Sequence, residues 1–112
     1  MSNRDTIDGK TGAESILHRC IALTENMPEA QAYHARVAVM KINHDIAKTL
    51  YKPSDTPYHV RCKNLANYWF QATQRNYIDR YEQEVYETAG QIALDFYVAV
   101  KYHEDMLAPL PF

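Results

Sequence analysis

Between Pro28 and Lys52 the chain reads PEAQAYHARVAVMKINHDIAKTLYK, and this stretch constrains the fold more than any other. At about 100° per residue, a helix here carries two apolar stripes instead of one. Tyr33, Val37, Met40, His44, Ala47 and Tyr51 line up on one side. Ala35, Val39, Ile42, Ile46 and Leu50 form the second stripe, parted from the first on one flank by Arg36 and Asn43. The other flank is polar, with His34, Lys41, Asp45, Lys48 and Lys52. A helix apolar over so wide an arc needs neighbours on more than one side, which predicts the central helix of an all-helical domain.

A chain of 112 residues is long enough for one real core and too short for two. The punctuation around the central stretch supports an all-α bundle of about four helices, over about 12–26, 28–52, 57–75 and 77–106, with oligomerisation left open. Residues 1–10 are polar and read as a flexible arm, 11–106 as the single helical domain, and 107–112 as an apolar, proline-containing tail. Thr11 with Glu14 has the spacing of a capping box at the start of the first helix. Its apolar face is Ala13, Ile16, Leu17, Cys20, Ile21 and Thr24. Pro28 suits a first helical turn. Pro53 and Pro57 break the second helix and restart a third, with Thr56 as N-cap and Pro57 as first residue. So short a connection predicts antiparallel neighbours.

In the third helix Tyr58, Cys62, Leu65, Trp69 and Ala72 keep heptad spacing, but the next positions on that seam, Asn76, Asp79 and Gln83, are polar. The apolar face resumes half a turn away with Ile78, Tyr81, Val85, Ala89, Ile92, Phe96 and Val100. Either the chain turns near residues 74–77, with Asn76 as N-cap, or one long helix changes partners halfway. The second form implies an extended molecule or an intertwined dimer. Gly90, beside Ala89 and Ala93, makes a smooth patch where another backbone can come close, at about 1 kcal/mol of helix propensity.

Net charge is −2, which sets up no global attraction to nucleic acid or membrane. The charge is nevertheless uneven. From His34 to Arg75 seven Lys/Arg stand against two Asp, a net +5; from Asp79 to Asp105 seven Asp/Glu stand against two Lys/Arg, a net −5. No apolar run approaches the roughly 18–20 residues of a membrane span, and the opening MSNRDTIDGK lacks the apolar core of a secretory signal. Together with only two cysteines this points to a reducing cytoplasm.

Signals for catalysis and for metals are weak. His59 and Cys62 stand three apart on a helix and could share an ion, but His18 and Cys20, two apart, diverge by about 160° around theirs. His44-Asp45 has the form of a metal-binding doublet without the further His and Asp such sites require. Phosphate loops, a nucleophile elbow and a Glu-x-x-His pair are all missing. No cofactor, metal or catalytic residue is therefore expected.

Two features point to recognition. Arg36 and Asn43, seven apart, share a strip between the two apolar stripes. A buried guanidinium needs a partner, so Arg36 either locks onto the acidic last helix or lines an opening that takes a ligand. On the outer face of the third helix Arg61, Tyr68 and Arg75 repeat at seven, flanked by Asn64 and Gln71. Planar cations, a ring and amides suit a binding surface. The expected function is that of a non-enzymatic cytoplasmic interaction protein binding another protein. Adaptors, inhibitors and immunity factors of this size are common, phage and mobile-element counter-defence proteins among them. The second reading is a binder of nucleotides or nucleic acid through Arg61, Arg75, Lys41, Lys48, Lys52 and Tyr68.

Overall fold

The computed structural model describes residues 9–75 and 77–107, with side chains for 12–75 and 77–104. Four helices are present, α1 (Gly9–Glu25), α2 (Glu29–Thr49), α3 (Tyr58–Ala72) and α4 (Arg80–Leu107), and no strand occurs among the described residues. The architecture is the all-α four-helix arrangement that the periodicity predicts. Residues 1–8 of the expected arm, residues 108–112 of the expected tail and Asn76 lie outside the described residues.

The boundaries carry four corrections. α1 begins at Gly9, so Thr11 stands inside the helix and is not its N-cap. Just inside this first turn the helix packs closely: a Cβ on Gly12 would lie 3.2 Å from the Phe96 ring, which packs edge-on against Tyr58. Pro28 and Pro57 are the N-cap residues of α2 and α3, each outside the first turn. Their carbonyls accept the first helical N–H groups, those of Gln31 and Ala32 and of Val60 and Arg61. α2 stops at Thr49, short of Lys52: Pro53 has no N–H to offer the Thr49 carbonyl, and Arg61 supplies the donor instead. Its Nη1 donates to Thr49 O (2.7 Å) and Lys52 O (3.0 Å), and its Nε donates to Thr56 O (3.1 Å). Finally, the chain does turn between α3 and α4, but Asp79 makes the cap. Its Oδ1 accepts the backbone N–H of Tyr81 at 2.7 Å, and its carbonyl accepts that of Gln83 at 2.8 Å.

The core lies where the inner faces of the helices meet, and α4 lies against all three of the others, most extensively α3. At 28 residues, about 42 Å, it is also the longest. The expectation that Pro28–Lys52 is central therefore gives way to α4. Only one α2 stripe is buried: Ala35, Ile42, Ile46 and Leu50, with Ala32 and Ala38 on its flanks. Tyr33, Met40 and Tyr51 of the other stripe are exposed. α2 and α3, expected as packed neighbours, approach each other far less than either approaches α4. Trp69, fully buried, bridges them. The Ala89–Gly90–Ala93 patch is buried as expected, but what fills it is the ring of Phe70, which a Cβ on Gly90 would meet at 2.9 Å. Among the described residues no helix is long and apolar enough to cross a membrane.

Candidate binding site

Where α2 and α3 splay apart, a groove of about 440 Å³ opens to solvent. Its α2 wall is the outer stripe, Val37, Met40 and His44, with Lys41 and Asp45 beside it. Tyr68 of α3, Arg75 of the turn that follows, and Tyr86 of α4 complete it. The same helical period that seats Ile42 and Ile46 in the core turns Met40 and His44 outward onto this wall.

The floor is polar. Asp45, placed by the sequence on a solvated flank, is 7 % exposed. Its Oδ2 accepts the indole N–H of Trp69 at 3.0 Å, and Lys48 Nζ lies 3.7 Å from its Oδ1. Burying the Trp69 ring requires a partner for its N–H, and Asp45 supplies it across 24 residues of sequence. Tyr86 is the other floor residue, only 2 % exposed. Burial pushes its phenol pKa up, opposed by the nearby positive charge of Arg75. Its hydroxyl forms no hydrogen bond among the described residues, yet it is not sealed from solvent, so it faces the groove.

The five residues singled out by sequence fall in three places. Tyr68 and Arg75 meet at the groove. Arg61 is committed to three backbone carbonyls and to the Tyr58 ring, 5.5 Å from its Cζ, as the clasp that closes the α2–α3 loop. Arg36 and Asn43 are exposed, so the buried lock to α4 does not exist. The physical reason is that the strip they occupy borders the outer, solvated stripe instead of lying between two packed ones. His44, on the first apolar stripe, is exposed for the same reason.

Sequence reasoning missed Asp45 and Tyr86. The signal for Asp45 was its place between Ile42 and Ile46, on the edge of the buried stripe. Tyr86 follows Val85 and precedes Ala89 on the buried face of α4, which should have marked its ring as buried.

Elsewhere, His59 is buried at 8 % exposure, stacked on Tyr97 with ring centroids 5.5 Å apart, and its Nε2 lies 3.7 Å from Glu104 Oε2. Cys20 and Cys62 are free and buried, and desolvation pushes both thiols up to about 12. No group of three or more metal-ligating side chains occurs among the described residues. The groove lining brings together two cations without an ion-pair partner among the described residues, a solvent-reached phenol hydroxyl, a ring and a thioether.

The chain matches no protein-family model, and neither a curated protein nor a solved structure is similar to it at a significant level.

Proposed function

We propose that this protein works by binding another protein through the face formed by the outer stripe of α2 and by Tyr68 of α3. The supporting observation is that stripe. Met40 is 70 % exposed and Tyr33 67 %, and both stand with half-exposed Tyr68 on the side of the molecule that carries the open groove. Flexible thioethers and aromatic rings with polar tips are the side chains that protein interfaces favour. The protein acts by occupying a surface of its partner, as adaptors, inhibitors and counter-defence factors do, and itself performs no chemical step. The reducing cytoplasm suits it, where Cys20 and Cys62 stay thiols.

The test is affinity capture from cells of the native host, comparing the unaltered chain with Met40→Asp, Tyr68→Ala and a control, Glu87→Lys, on the exposed face of α4. A partner retained by the control and lost from both groove variants supports the reading. A capture profile identical for all four proteins removes it.

The second reading, nucleotide or nucleic-acid binding, draws on Lys41, His44 and Arg75 around the Tyr68 ring. Of its five cations, Arg61 and Lys48 are occupied, the first by carbonyls and the second by Asp45. Phosphate binding falls steeply with added salt, whereas an aromatic-centred protein interface does not, so a salt titration separates the two readings.

A further inference from the structure

The floor of the groove says what kind of segment the partner brings, an inference that rests on the protein-binding reading above. Tyr86 holds its ring in the core and its unpaired hydroxyl at the groove. Its oxygen is reached by solvent and unpaired within the protein, so this O–H is met by water or by a bound acceptor. The phenol is protonated at neutral pH, because burial raises its pKa further, and it is therefore a donor. Lys41 and Arg75 border the same space, and neither has an ion-pair or side-chain hydrogen-bond partner among the described residues. The one carboxylate in the lining, Asp45, is already engaged by Trp69 and faced by Lys48. Apart from His44 and the Tyr68 hydroxyl, which can donate or accept, the unused capacity of the groove is donors and positive charge. That balance favours a ligand that is an acceptor and an anion.

Beyond the mouth the apolar surface continues. Met40 and Tyr68 flank the opening, and Tyr33 stands one heptad before Met40, about 10 Å along α2. A small anion would leave that surface wet; a polypeptide covers it. We propose that the groove receives an acidic segment of the partner protein, one carboxylate meeting the Tyr86 hydroxyl, Arg75 and Lys41, and an adjacent apolar side chain lying on Met40 and Tyr68.

Display of random 12-residue peptides against the full chain tests this, followed by fluorescence anisotropy with the selected peptide. Enriched peptides should carry Asp or Glu beside an aromatic or aliphatic residue. The double variant Lys41→Gln/Arg75→Gln should weaken the selected peptide by about tenfold or more, and Tyr86→Phe, which keeps the ring, by about fivefold. Replacing the peptide's acidic residue by alanine, which removes the acceptor, should cost as much as the double variant and abolish any further effect of Tyr86→Phe, the signature of a direct pair. Unchanged urea midpoints for the variants secure the comparison. The proposal is overturned by no enriched peptide or peptides without acidic residues, by additive losses from peptide and Tyr86 changes, or by AMP or a thymidine oligonucleotide binding with the same dependence in place of peptides. A partner captured by the native chain and lost on Met40→Asp, but indifferent to Tyr86→Phe and to the double variant, would leave the protein-binding reading intact and sink this one.

Discussion

The two apolar stripes of α2 are nearly equal in hydrophobic pattern and opposite in fate. The inner one, Ala35, Ile42, Ile46 and Leu50, is buried against α1 and α4; the outer one, with Tyr33, Met40, His44 and Tyr51, faces water beside the groove. Their side chains explain the division. Ala32, Ala35 and Ala38 let a neighbouring backbone come close, while Ile42 and Ile46 have few rotamers to lose on packing. Tyr, Met and His pair an apolar body with a polar tip or a flexible stem, and tolerate a wet boundary. An apolar stripe is thus core or interface according to the shape and adaptability of its residues, which a binary pattern does not record.

The sharpest way to break this contrast is to truncate both sides. Trp69→Ala should cost about 3–5 kcal/mol, because it leaves a large cavity in a fully buried site and strands Asp45. Met40→Ala should change stability by no more than about 0.5 kcal/mol. Urea unfolding followed by circular dichroism measures both; a Met40 cost above about 2 kcal/mol would mean that the outer stripe is core after all.

Alkaline titration probes the dry side next. Cys20 and Cys62 are raised from 9.0 to about 12, and Tyr58 and Tyr86 are raised as well, all chiefly by burial. Their folded pKa values lie above the unfolded ones. The associated stability is therefore complete below about pH 9 and is lost as pH rises toward 12. The urea midpoint should drop by at least about 1 M between pH 7.5 and 10.5. In native protein both thiols should resist a disulfide reagent that labels them at once in urea. Rapid native labelling would show that water reaches the inner side too.

Asp45→Ala tests the boundary between the two sides. It leaves the Trp69 N–H without its acceptor and should cost about 1–3 kcal/mol, with the indole fluorescence shifted. Asp45→Asn, which keeps an acceptor oxygen, should recover most of this.

A mild effect is expected at Gly90. Alanine there gains about 1 kcal/mol of helix propensity but drives a Cβ to 2.9 Å from the Phe70 ring, an overpacking cost of about 1–3 kcal/mol. The net is a mild loss that should turn into a gain in a Phe70→Leu background. A gain in the native background would show that Phe70 is free to move off α4.

Much of the fold was legible because it depends on neighbours in sequence. The Tyr58–Trp69 seam, the half-turn shift of the apolar face after Ala72, and the breaks at Pro53 and Pro57 are all local, and each matches the observed helices. Tyr68 and Arg75 were read as exposed recognition residues from the same period, and they meet at the groove. The misreadings cluster where the answer depends on a distant partner. Arg61 looked like a free cation because the carbonyls of Thr49, Lys52 and Thr56 that hold it belong to a loop whose path no periodicity describes. Asp45 looked solvated because Trp69 lies 24 residues away. Arg36 and Asn43 were placed between two packed faces when only one face packs.

The sequence by itself determined that the chain is helical and where its helices break, because backbone propensity and the helical period act over a few residues. Which of the two α2 stripes became core, which helix touches all the others, and that Asp45, Tyr86, Lys41 and Arg75 share one groove were decided only in three dimensions. Those outcomes depend on how far α2 and α3 splay when Trp69 and Phe70 take their places against α2 and α4. That is a matter of side-chain volume between segments far apart in the chain, and no local pattern encodes it.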